Sequence, residues 1–204
     1  MSDTAVQSFY RYQAWIYDWT RWTILHGRKR AVDRLQLRPD SDVLEVGCGT
    51  GLSFRHLLAG LEPTRGRLVG LDFSRDMLRK AQKRISAHGW RNVELVQGDA
   101  ARLDLSQRFD AILFAYSLTM IPDWPAALER AYAHLKPWGR LVVLDFGRFQ
   151  SWSLLGPLMR GWLRFNHVET LRPYAQKLRE VFPGLLVDSW LGGYNFLAVG
   201  QRSE

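Results

Sequence analysis

The sequence predicts an α/β fold in which a mostly parallel sheet carries helices on both faces and finishes on an antiparallel strand. Two patterns in the 204 residues carry this expectation. Between residues 42 and 147, short β-branched runs alternate with amphipathic segments of helical spacing, the pattern of strands joined by helical crossovers. After residue 168 the alternation gives way to one helical segment and two apolar runs split by Gly192 and Gly193, a hairpin signal that sets the last strand antiparallel to its predecessor. No repeat, low-complexity tract or long flexible linker interrupts the chain, and its length suits one full-sized domain, so 1–204 reads as a single unit.

Taken in order, residues 6–36 read as one or two helices loaded with aromatics. "FYRYQAWIYDWTRW" puts seven aromatic residues into fourteen positions, interleaved with Arg11 and Arg21. Tyr12, Trp15, Ile16 and Trp19 share one helical face, whereas Tyr10 and Tyr17 lie on another. The strands follow as "DVLEVG" (42–47), "RLVGLD" (67–72), "NVELVQGD" (92–99), "FDAILFAYS" (109–117) and "GRLVVLDFG" (139–147). Between them, 53–61, 74–89 and 124–136 repeat apolar residues at helical spacing. Ser74 stands at an N-cap position, and Gly89 and Gly139 stand where helices would stop. An apolar-basic insertion, "SWSLLGPLMRGWLRF" (151–165), precedes a helix over 169–182 and strands over 185–191 and 194–202.

Composition bounds the function. A net charge of +8 draws the protein to polyanions, either nucleic acid or an anionic membrane surface, and charge alone does not choose. One cysteine, Cys48, excludes an intrachain disulfide framework, and the five histidines show no metal-ligand spacing, so no metal is expected. Neither a signal-peptide pattern nor a membrane-length apolar run is present in the sequence. The expectation is a cytoplasmic protein, soluble or peripheral on the inner face of the membrane.

"VLEVGCGTGLSF" (43–54) carries the chemistry. A glycine-rich turn from a strand's carboxyl end into a helix lets a ligand approach the backbone closely. Gly47, Gly49 and Gly51 fall at first, third and fifth positions, whereas the dinucleotide fingerprint needs the sixth, and no Lys-Ser/Thr pair follows as a P-loop would require. Glu45, two residues before the first glycine, would repel a pyrophosphate and welcome a cation. Cys48 has no paired histidine in sequence and is a poor nucleophile candidate. Taken singly, the glycine triplet also fits a plain tight turn, and Asp72 or Asp99 a helix N-cap.

Together these residues resemble the class I S-adenosylmethionine-dependent methyltransferases, whose acid-x-Gly-x-Gly-x-Gly signature "EVGCGTG" matches throughout. The resemblance implies a Rossmann-like, seven-stranded sheet with extra aromatic N-terminal helices. It divides the chain into an N-terminal lid (1–38), a cofactor core (40–147), a substrate-side insertion (148–168) and a final helix and hairpin (169–204). It further implies S-adenosylmethionine held by Glu45, Gly47, Cys48, Gly49, Gly51 and Tyr116, with Asp72 on the ribose hydroxyls. Phe73 and Met77 would pack on the adenine, and Asp99 and Ala100 would lie at its edge. "FAYSLTMIPD" and "LKPWGRLVVLDF" stand where the family lines its transfer site and places its next strand.

The acceptor is a second question, because fold and cofactor do not fix it. The place of the Asp/Asn-Pro-Pro-aromatic run of DNA amino-methylases reads "FAYSLT", so base methylation is disfavoured and no nucleic acid is expected. Arginines interleaved with tryptophans, at the N-terminus and again at Trp152, Leu155, Met159, Arg160, Trp162, Arg164 and Phe165, suit the headgroup level of a membrane. A helix buried over the sheet edge and stacking on nucleic acid are the competing explanations. Both chain ends, "YRYQAWIYDWTRWTILHGRKRAVDRL" and "FNHVETLRPYAQKLREVF" with "GGYNFLAVGQR", look like the bacterial betaine-lipid enzymes that trimethylate diacylglyceryl-homoserine. Phosphatidylethanolamine and quinone methyltransferases have overlapping patterns. Tyr17, Tyr116 and His167 are the candidates for proton acceptance, and Arg28, Arg164 and Tyr194 for the substrate headgroup. A silent nucleic-acid-binding module is the reading from another class.

Overall fold

The computed structural model describes residues 26–153 and 155–204. The expected aromatic helix before residue 26, with Tyr17, lies outside the described residues. Seven strands form one sheet: β1 Asp42–Val46, β2 Arg67–Asp72, β3 Val93–Gln97, β4 Phe109–Ala115, β5 Leu135–Phe146, β6 Leu186–Trp190 and β7 Asn195–Gln201. Their order is β3-β2-β1-β4-β5-β7-β6. β1 to β5 pair in parallel, and β7 lies antiparallel between β5 and β6, as the Gly-Gly turn predicted. The strand order reverses between β1 and β4, and a crevice opens at the carboxyl ends of an open sheet at that point.

Among the described residues six α-helices accompany the sheet: α1 Arg28–Leu35, α2 Phe54–Leu58, α3 Arg75–His88, α4 Trp124–Ala133, α5 Leu155–Phe165 and α6 Tyr174–Val181. Successive strand residues point to opposite faces, and here both faces are covered, so β1 and β4 read as nearly continuous apolar runs. On one face Val43, Leu113, Val142 and Leu144 pack with Ala31 and Leu35 of α1. On the other, Leu44, Ile112, Leu141 and Val143 meet Leu128 of α4 and Leu178 of α6. The edge strands β3 and β6 are half-exposed and carry polar residues, which blunts them as templates for further strand pairing.

Local signals place the helix ends. Ser74 caps α3 by accepting from the Met77 amide (3.4 Å), and Gly89 closes it at φ +66°. Gly139 departs from expectation. The helix before it ends at Ala133, and the glycine lies inside β5, in a stretch whose pairing with β4 is irregular after Phe109. A Cβ there would come within 2.8 Å of the Lys136 carbonyl, so crowding of backbone in a bulge is what requires glycine. α6 starts at Tyr174 instead of residue 169, because Pro173 stands at its cap and residues 166–173 run without regular structure.

Candidate active site

The turn after β1 takes three left-handed steps: Gly47, Gly49 and Gly51 have φ of +67°, +57° and +75°. That conformation holds the backbone close to its neighbours. A Cβ on Gly47 would lie 2.4 Å from the Ser117 Cβ, and one on Gly51 2.7 Å from the Phe54 ring. Asp72, at the tip of β2, ties the turn down: one carboxylate oxygen accepts from the Gly49 amide (2.8 Å) and the other from the Ser74 amide (2.9 Å). A carboxylate offers about four lone-pair directions, so these bonds leave acceptor capacity for a sugar diol.

The neighbouring sequence candidates take their places around this turn. Phe73 is 48% exposed beyond β2, and Met77 is buried on the first turn of α3. Asp99 caps a short 3-10 turn that begins at Ala100, accepting from the Ala101 amide (2.9 Å). The carboxylate stays 45% exposed, so the capping bond leaves room for the adenine-edge contact expected of it. Cys48 is buried, and burial first, then Asp72 and Glu45, pushes its thiol well up, which keeps it unreactive. The Thr50 hydroxyl, in the middle of the turn, is buried without a hydrogen-bond partner. An orphaned hydroxyl inside a glycine cradle, a carboxylate at the next strand tip and an exposed ring beyond it fit a nucleoside with an amino-acid tail.

Glu45 and Arg28 differ from their sequence-based parts. Glu45 is 1% exposed and faces the Arg28 guanidinium at 3.9 Å, so its charge is shared with a cation of the chain. Arg28 also donates to the Ser53 hydroxyl (2.7 Å) and lies 5.4 Å from the Tyr116 ring. These contacts commit Arg28 to bracing the underside of the cradle, in place of the headgroup cation expected of it.

Tyr116 follows β4 at φ +59° and is buried, with its hydroxyl donating to the His26 carbonyl and near Asn195 Oδ1 (3.1 Å). Burial pushes its phenol far up, and that of Tyr194 to about 12. Both phenols therefore stay protonated at neutral pH and present ring faces and hydrogen bonds, which disagrees with the proton-accepting part expected of Tyr116. Phe146 links them, its ring centroid 5.0 Å from that of Tyr116 and 5.8 Å from that of Tyr194. His167 lies elsewhere, exposed at the end of α5 with φ +59°. Arg164 is exposed too, its Nε 3.4 Å from Glu169.

Sequence reasoning missed Thr119 and Asp145. Asp145 is fully buried, and burial pushes its carboxyl up to about 6 although it accepts from the Thr119 hydroxyl (2.6 Å), the Thr119 amide (3.0 Å) and the Phe146 amide (2.8 Å). Nothing local marks it, because its partner comes from the segment after β4. Unfolded, this carboxyl loses its proton near pH 4, whereas folded it keeps it to about 6. The native state binds the extra proton in that window, so stability falls as pH rises from about 4 to about 6, by up to about 3 kcal/mol. Urea unfolding across that range should show this fall in the wild type and not in Asp145→Asn. Equal slopes in the two proteins would refute the assignment.

Comparison with known proteins agrees with this geometry. Residues 43–139 match the family described as "Methyltransferase domain". A demethylmenaquinone methyltransferase of Bacillus cereus (strain B4264) is 31% identical over 142 residues, 69% of this chain and 54% of the relative. The chain thus spans about half the length of the curated relatives it matches. A SAM-dependent methyltransferase of Aquifex aeolicus superposes with a TM-score of 0.70 at 19% identity, over 90% of this chain and 93% of that one. Coclaurine N-methyltransferase bound to N-methylheliamine and SAH has a TM-score of 0.53 at 18% identity, over 59% of this chain and 35% of that one. The matched residues take in the whole cradle, from β1 to the bulge of β5, so residues 43–139 form a methyltransferase domain, and the chain has the fold of S-adenosylmethionine-dependent methyltransferases.

Proposed function

We propose that the chain N-methylates a membrane lipid from the membrane surface, converting the primary amine of diacylglyceryl-homoserine to its trimethylated betaine. The observation that carries this reading is α5. Leu155, Leu158, Trp162 and Phe165, at helical spacings of three and four, are 65%, 71%, 48% and 79% exposed. Their face turns away from the core, while Gly156 and Leu163 bury the other side. No helix among the described residues is long and apolar enough to cross a membrane. An apolar stripe with Arg160 and Arg164 on the same short helix suits burial at the lipid headgroup level. α5 follows the end of β5, and the Glu169 amide just beyond it bonds to the Thr119 carbonyl (3.1 Å), which ties this segment to the turn after β4. The likeness of both chain ends to betaine-lipid enzymes supports the amine acceptor.

The cofactor supplies an electrophilic methyl group; the chain supplies position and dryness. Gly47 to Gly51 and Asp72 would hold the donor, and the buried rings of Tyr116, Phe146 and Tyr194 beside them would offer aromatic faces to a methylated ammonium. A second reading, methylation of a quinone ring carbon, is favoured by the Bacillus relatives. The two are separated by supplying radiolabelled S-adenosylmethionine with diacylglyceryl-homoserine, phosphatidylethanolamine or a demethylated quinone in mixed micelles. Label in the trimethylated homoserine lipid is expected, and label only in the quinone would sink the amine reading. Leu158→Asp with Trp162→Asp is expected to raise the apparent KM for vesicle-borne lipid at least about tenfold, since each buried side chain contributes about 1.5–3 kcal/mol. Cofactor affinity should be unchanged.

A further inference from the structure

A cleft of about 370 Å³ opens between the end of β5, the start of α6 and the β6–β7 edge. Arg148, Arg172 and Arg179 line it together with Gln150, Thr170 and Gln176, and no Asp or Glu does. Several arginines elsewhere have carboxylate neighbours: Arg30 and Arg34 share Asp188, Arg38 reaches Asp110, and Arg67 reaches Glu94. Among the described residues no carboxylate pairs with the three in the cleft. Arg148 donates to the Leu171 carbonyl (3.5 Å) and Arg172 to the Ile121 carbonyl (2.9 Å), which fixes their stems and leaves further N–H donors on each fork.

Three guanidiniums around one cavity repel one another unless an anion is shared between them, and their planar forks match the oxygens of a phosphate. Part of the remaining wall is apolar: the Tyr174 ring stacks on Phe196 at 6.2 Å, and both border the cleft with Phe146 and Val187. Cationic forks above an apolar wall are what a headgroup attached to acyl chains meets. The cleft also adjoins the root of α5, because the Arg160 guanidinium donates to the Arg148 carbonyl (3.1 Å).

We infer that this cleft is a binding site for a phosphate oxyanion, separate from the methyl-donor cradle and used whichever acceptor the enzyme methylates. The test uses the full chain without methyl donor or acceptor, so its failure leaves the lipid-methylation reading untouched. Vesicles of phosphatidylcholine containing phosphatidylglycerol are the first probe and inorganic phosphate the second. Arg148→Gln with Arg179→Gln should weaken vesicle binding at least about tenfold, while Lys83→Gln with Arg91→Gln, which removes the same charge on the far side of the sheet, should weaken it less than about threefold. Phosphate that displaces the wild type from vesicles assigns the cleft to phosphate in general. Binding that phosphate does not displace, but the cleft variant loses, assigns it to lipid-borne phosphate. Equal weakening by the two double variants, or none by either, would overturn the proposal, and unchanged S-adenosylhomocysteine affinity shows that the variants are folded.

Discussion

Asp72→Ala is expected to lower affinity for S-adenosylhomocysteine about 100-fold or more, read by calorimetric titration. The carboxylate does two things at once. It accepts the Gly49 and Ser74 amides at 2.8 and 2.9 Å, and in the proposed placement of the donor it would also accept from the ribose diol. Hydrogen bonds to a charged group contribute about 1.5–3 kcal/mol each. Losing those to the ligand, and freeing the turn that the ligand's tail must meet, adds to more than two factors of ten at about 1.4 kcal/mol per factor. Asp72→Asn should fall between the two, because its amide nitrogen must oppose one backbone N–H. Unchanged affinity in Asp72→Ala would place the nucleoside elsewhere.

Gly47→Ala is expected to destabilise the fold by about 3 kcal/mol and to remove measurable cofactor binding, by urea unfolding and calorimetry respectively. Two costs add. A side chain at φ +67° is strained, and its Cβ would lie 2.4 Å from that of Ser117, whose hydroxyl is held on the Val46 carbonyl at 2.6 Å. Adding Ser117→Gly relieves the overlap but not the strain, so the double variant should recover part of the stability and little of the binding. A Gly47→Ala protein of wild-type stability would contradict the close packing of this turn against β4.

The cradle was legible in the sequence because its determinants are local. Glycine spacing encodes the left-handed steps, and one residue at each strand tip encodes the carboxylates; these require only that a strand, a turn and a helix follow in order. The same locality explains the caps at Ser74 and Gly89. It also explains the error at Gly139, since a glycine just past a helical run looks alike whether it ends the helix or accommodates a bulge in the next strand.

The acceptor side was not legible to the same degree. Arg28 seemed free to hold a headgroup, but the sheet brings it against Glu45 and Tyr116. Tyr116 seemed available as a base, but its hydroxyl is taken by His26 and Asn195 from far along the chain, and burial keeps it protonated. The sequence by itself determined the alternating architecture, the glycine turn after β1 and the antiparallel finish, because periodicity and turn chemistry act between near neighbours. Only the tertiary structure decided which charges are already paired, which phenols are dry and where three arginines share one cleft, because those properties depend on segments that meet across strands β4, β5 and β7.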